Sequence, residues 1–219
     1  VFRDFLSACP EACPRLRHSY RMRADDPHGS AILRLAGLVN SGAPKDEIEA
    51  RLTTRADMGE LDGYAVEFIE HSGGTPTHFL DHWYEKYVRW GELEPDALGV
   101  WTLENGALQE SGVTRLEACF AHLESARILS LTRAWDTGVE RTNAYLHRKM
   151  LNRQGLSDVD FACGEPVMML TNDYTRGLFN GDQGLIVRVV EEAEERIAVA
   201  FPTLEGIRIY DLDPLRSQL

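Results

Sequence analysis

Two stretches of this 219-residue chain carry the cations that a phosphate group would seek. Arg15, Arg17, Arg21 and Arg23 share one acid-free stretch, and Arg141, Arg148, Lys149 and Arg153 share another. Such patches attract phosphates whatever the overall charge, although a solvated helix face is the plainer reading of each. Cys9, Cys13 and His18 offer three soft ligands without a fourth, so with Cys119 and Cys163 distant the cysteines read as free thiols in a reducing compartment. Phe79, Trp83 and Tyr87 recur at helical spacing; packing accounts for them, and stacking on a nucleotide is the sharper alternative. Glu191, Glu192, Glu194 and Glu195 sit where a turn is expected and read as a solvated turn rather than a metal site. The sequence contains no phosphate-cradling P-loop, no dinucleotide-binding glycine turn and no nucleophile elbow. Residue chemistry alone therefore defines no enzyme.

The composition, 43% hydrophobic and 26% charged, is that of a protein able to bury a core. Nothing approaches the apolar run of a membrane helix or the pattern of a signal peptide, which makes the cytoplasm the default compartment. A net charge of −12 argues against a simple DNA-binding module, which would carry a basic face.

The elements that must hold these residues change character along the chain. Up to about residue 160 the pattern is mostly helical. Helices are predicted over Ala31–Val39, from Pro44 to Leu52, from Thr75 through the aromatic stripe, over Val113–Ser125 and over Val139–Leu151. Tyr64–Ile69 reads as an isolated strand and Gly91–Asn105 as turn-rich. Ala126–Thr132 reads as a buried strand running into a loop at Asp136, Thr137 and Gly138. From Cys163 four short β-rich runs follow: Pro166–Leu170, Gly184–Val190, Arg196–Phe201 and Ile207–Leu212. They are too closely spaced for crossover helices, so a small antiparallel barrel is predicted. Asn172–Asp182 should be a structured loop with Leu178 and Phe179 tucked beneath it.

Three segments carry a family resemblance. Leu16-Arg17-His18-Ser19-Tyr20-Arg21-Met22 resembles motif IV of superfamily-1 helicases. Gly164-Glu165-Pro166-Val167-Met168-Met169-Leu170-Thr171-Asn172-Asp173-Tyr174, continuing through Gly177-Leu178-Phe179-Asn180-Gly181-Asp182-Gln183-Gly184, is similar to the opening of the SH3-like barrel inserted in the second motor domain of RecD-type helicases, the exodeoxyribonuclease V alpha subunit family. Ile128-Leu129-Ser130-Leu131-Thr132-Arg133, with Gly138, Val139 and Asn143, resembles the strand, loop and helix before that barrel. The three occur in the family's order, and residues 40–120 match only loosely.

The resemblance implies an α/β protein: a partial RecA-like motor domain, largely helical, over 1–160, with an inserted small antiparallel SH3-like β-barrel over 161–219. It implies an internal fragment of an ATP-dependent DNA helicase acting in recombinational repair, 5′ to 3′. The chain begins where Walker motifs should already have passed and stops before the later motor motifs. ATP and magnesium belong to the intact parent, and the chain alone should bind neither and turn nothing over. Arg21 is the expected catalytic residue, reaching the γ-phosphate, and Tyr20 the expected adenine-stacking neighbour. Thr132, Arg133, Asn143, Asn172, Tyr174 and Arg176 are the expected contacts to single-stranded DNA, weak for the chain by itself. For Tyr174, packing within the barrel remains an equal alternative. RecB- and RecC-like subunits are the implied protein partners, with no membrane and no metal site. A free-standing SH3-like interaction module, or a piece of another superfamily-1 motor such as a relaxase helicase, stands as the alternative.

Overall fold

The computed structural model describes residue 8 and residues 25–56, 60–61 and 66–219. Val1–Ser72 and Gly73–Leu219 form two compact units. In the first, helix α1 (Pro27–Ser41) starts one turn earlier than its apolar pattern suggests. Asp26 is the cap: its carboxylate accepts from the Gly29 N–H at 2.6 Å, and Pro27 supplies a helical φ with no N–H to satisfy. Gly42, left-handed at φ 71°, closes the helix. A short helix α2 (Lys45–Glu49) leads to β1 (Thr53–Arg55). β1 pairs in parallel with β2 (Glu67–Ile69), so the strand expected to be isolated has a partner.

The second unit opens with α3 (Thr77–Trp83), which runs into a π-helical turn over Tyr84–Val88 closed by Arg89 N–H to Tyr84 C=O at 2.8 Å. After a short helix α4 (Glu94–Ala97) come β3 (Val100–Glu104) and β4 (Ala107–Leu108), then helices α5 (Glu110–Glu124) and α6 (Val139–Gln154). The four expected β runs follow as β5 (Pro166–Met168), β6 (Gln183–Glu191), β7 (Glu194–Thr203) and β8 (Gly206–Asp211). They curl into a nearly closed barrel, with the C-terminal turn tied to the end of β5 by Leu170 N–H to Gln218 C=O at 2.7 Å.

The sheet is mixed rather than antiparallel. One edge of β6 pairs antiparallel with β7. The other edge is shared end to end: β5 takes the start, antiparallel, and β3 takes the later part, in parallel through Val100↔Arg188 to Thr102↔Val190. Strands β3 and β4, from before residue 161, thus join the barrel's sheet.

Side-chain alternation explains why both faces of β6 and β7 are apolar. Leu185, Val187, Val189, Ala198 and Ala200 face Leu116, Cys119 and Phe120 of α5 together with Trp90, Trp101 and Leu103. Ile186, Val199 and Phe201 face inward with Met169, Leu178, Leu212 and Leu215 to fill the barrel. A third cluster of Tyr84, Met150, Leu151 and Ala162 seats α6. Burial in the first cluster pushes the Cys119 thiol up to about 11.

Candidate nucleic-acid interface

The six expected DNA contacts fall into two clusters. The first is the loop between β5 and β6. Asp173 and Leu178 exchange backbone hydrogen bonds at 2.7 and 3.0 Å, which folds the loop back on itself at Gly177, where φ is 69°. The Asp173 carboxylate accepts from the Arg176 N–H at 3.0 Å and from its guanidinium at 2.5 Å. Asn172 Oδ1 accepts from the Asn180 N–H at 2.8 Å, and Asp182 Oδ2 accepts from the Phe179 N–H at 2.8 Å. Short polar side chains thus supply the bonds that a loop cannot make by pairing.

Leu178 is buried beneath this loop as expected, but Phe179 is not: it is 49% exposed. Its ring stands edge-on to that of Tyr174, 6.1 Å between centroids, and Tyr174 is 78% exposed. Tyr174 therefore does not fill the barrel, and Asn172 Nδ2 holds its hydroxyl at 3.0 Å. Arg176 is engaged by Asp173, so the loop offers aromatic faces rather than free charge.

The Arg176 guanidinium holds the Asp173 carboxyl below its ordinary value of 3.8. A depressed carboxylate contributes stability that is present at neutral pH and lost as pH falls through the folded-state value. Wild type should therefore melt higher than Asp173→Asn at pH 7, and the gap should close as pH drops below 3.8. Thermal melts of the two proteins across that range check this; a gap independent of pH would remove the ion pair as its cause.

The second cluster surrounds the start of α6. The Thr132 and Arg133 carbonyls accept from the Val139 and Glu140 N–H groups at 3.2 and 3.0 Å, closing the loop against the helix. A Cβ on Gly138 would lie 2.6 Å from the Arg133 carbonyl oxygen, so only glycine fits there. Arg133 is exposed and reaches Glu140 at 3.2 Å. Asn143, one turn into α6, is exposed on the wall of a groove of about 230 Å³ whose other walls include Trp83, Tyr87, Ile128 and Leu146. Tyr20 and Arg21 lie outside the described residues, as do Cys9, Cys13 and His18.

The segment before this loop departs from expectation. Ala126–Thr132 is not a strand and is not buried: Leu129 is 92% exposed and Leu131 105%. Among the described residues, no backbone group from Arg127 to Leu131 makes a backbone hydrogen bond. Its sequence has the composition of a buried strand, but burial needs a neighbouring edge, and the described residues pair none with it.

The fold sorts the cations of the 141–153 basic stretch: Lys149 pairs with Asp81 at 2.6 Å and Arg153 with Glu94 at 2.7 Å. Among the described residues of the second unit, every arginine has a carboxylate partner except Arg127, Arg141 and Arg148. Arg141 and Arg148 lie on the solvent face of α6, two turns apart. The sequence marks 141–153 as basic and acid-free, but which of its cations stay unpaired is decided by the fold.

The first cluster exposes two aromatic rings and an amide, and the second an amide and a guanidinium. No family model matches the chain, and no solved structure does. Among curated proteins it is similar to the RecBCD enzyme subunit RecD of Haemophilus influenzae, with 30% identity over 163 residues. The match covers 71% of this chain and 24% of that protein, so the chain spans about a quarter of its relative's length. The relationship is distant and partial. Among the described residues no helix is long and apolar enough to cross a membrane.

Proposed function

We propose that this chain is part of the second motor domain of a RecD-type DNA helicase, carrying the inserted SH3-like barrel. In the intact parent it works on single-stranded DNA under ATP and magnesium, and RecB- and RecC-like subunits are its partners in recombinational repair. Arg21 approaches the γ-phosphate from the motif IV segment, with Tyr20 against the adenine. The similarity to RecD supports this reading. The observation that carries it is the unpaired segment Arg127–Leu131, with two bare leucines and open backbone groups. That is the state of an interior strand whose sheet lies elsewhere in the protein, as a RecA-like motor requires.

Amide hydrogen exchange tests it. Amides 127–131 should exchange freely in the chain alone and be protected in the intact parent. Equal, unprotected exchange in both would refute the motor assignment.

On this reading Thr132, Arg133 and Asn143 meet the DNA backbone where the strand runs into α6, and Tyr174 stacks on a base. Phosphate contacts carry no sequence information. Arg133→Ala in the parent should therefore weaken binding to all sequences alike and reduce the slope of log K against log salt by about 0.7, the share of one phosphate on a single strand. An unchanged slope takes Arg133 out of the interface.

A further inference from the structure

The aromatic residues 79–87 belong to a region in which the family resemblance is loose, and their arrangement goes beyond what a core needs. Phe79, Trp83 and Tyr87 form a ladder along α3 and its π-helical extension, with ring centroids 5.8 and 4.5 Å apart. All three are only half-buried. The core on this side is made instead by the buried Leu80 and Tyr84, each one residue on from a ring of the ladder and so on the adjoining face. The π-helical turn keeps the ladder in line as the chain bends toward Trp90, whose indole N–H donates to the Gly164 carbonyl at 3.2 Å. Turns of this kind recur at functional sites.

Trp83 and Tyr87 open onto the groove walled by Asn143. The charges around it are unusual for so acidic a chain. Lys86 lies 5.2 Å from the centroid of the Tyr87 ring and makes no ion pair among the described residues. Arg127, at the groove wall, is one of the three arginines among the described residues of the second unit that have no carboxylate partner. The nearby carboxylates are already engaged: Asp81 by Lys149 and Tyr145, and Glu85 by Arg89. Partly exposed π faces, cations without a carboxylate partner beside them and one amide that can both donate and accept are the components of a sequence-tolerant single-strand platform.

Resting on the motor reading above, we infer that Phe79, Trp83 and Tyr87 form a stacking platform for bases of single-stranded nucleic acid, with Lys86 and Arg127 taking the flanking phosphates and the amide of Asn143 meeting a base edge in the groove. An apolar protein partner would use the same rings but would leave both cations without a role.

The test uses the 219-residue chain at low ionic strength and fluorescence anisotropy with two probes: a short labelled oligothymidylate and an abasic backbone of the same length and charge. Stacking adds to binding only where bases exist, so the oligothymidylate should bind about tenfold more tightly. Trp83→Ala and Tyr87→Ala should each erase most of that preference while leaving abasic binding unchanged, and Trp83→Phe should keep it. Circular dichroism confirms that each variant is folded, and the comparison of probes on the unmodified chain does not depend on any variant. Equal binding of the two probes overturns the platform and leaves the nucleic-acid reading intact. So does a preference that survives Trp83→Ala and Tyr87→Ala but is lost in Tyr174→Ala. Binding of neither probe overturns both.

Discussion

Phe201→Ala should lower the stability of the second unit by about 3–5 kcal/mol, the cost of removing a large aromatic from a packed core. Phe201 is fully buried at the centre of the barrel, edge-on to Tyr210 at 6.1 Å. Little is available to refill its place, because β6 passes over it at Gly184. A Cβ there would lie 2.8 Å from the Phe201 ring and 2.9 Å from the Ala200 carbonyl. The reverse probe follows: Gly184→Ala overpacks the same site and should cost about 1–3 kcal/mol. The two changes are coupled, so Gly184→Ala should be better tolerated once Phe201 is shortened to leucine. Urea denaturation of the single and double variants measures this. Additive losses would mean that the ring and the glycine do not share one space.

Arg21→Ala in the intact parent should cut DNA-stimulated ATP turnover by a factor on the order of 10³ or more, by analogy with arginine fingers. Phosphoryl transfer is accelerated mainly by positioning and by neutralising charge on the γ-phosphate, which a planar guanidinium does with two parallel hydrogen bonds. Arg21→Lys should recover little, since an ammonium keeps the charge but not the fork. DNA binding without nucleotide should be unaffected, because the residue faces ATP on the proposed reading. A variant that hydrolyses ATP and unwinds DNA at the parent's rate would show that the motif IV assignment is wrong.

The barrel strands were legible because their signals are local. Near-continuous runs of apolar and β-branched residues mark β6 and β7, and Asn180-Gly181-Asp182 and the acidic Glu191–Glu195 stretch mark the turns. The β3–β4 hairpin was equally marked, by Asn105-Gly106 between Leu103 and Leu108, and was passed over as turn-rich sequence. Asn105 and Gly106 both take positive φ, as a two-residue hairpin turn demands. The parallel union of β3 with β6 could not be read, because it joins residues far apart in sequence. Ala126–Thr132 failed for the opposite reason: its composition reports a preference for burial, and burial needs a partner that composition cannot supply. At the site, Asn172–Asp182 is the structured loop that its sequence suggests, with Leu178 buried beneath it. The outward turn of Phe179 was not, since an aromatic beside a buried leucine carries no mark of which face it takes.

The double-sided burial of β6 and β7 has a consequence for folding. These strands form a wall common to two hydrophobic interiors, one in the barrel and one against α5. Melting either interior strips one face of the wall, and the other cannot keep its register once β6 has lost its shape. The second unit should therefore open all at once, with barrel and helical layer sharing one transition state and one rate. A barrel wired in this way is a poor hinge and a good strut. Any force applied at its exposed 171–182 loop passes through β6 into α5 without a soft joint between them.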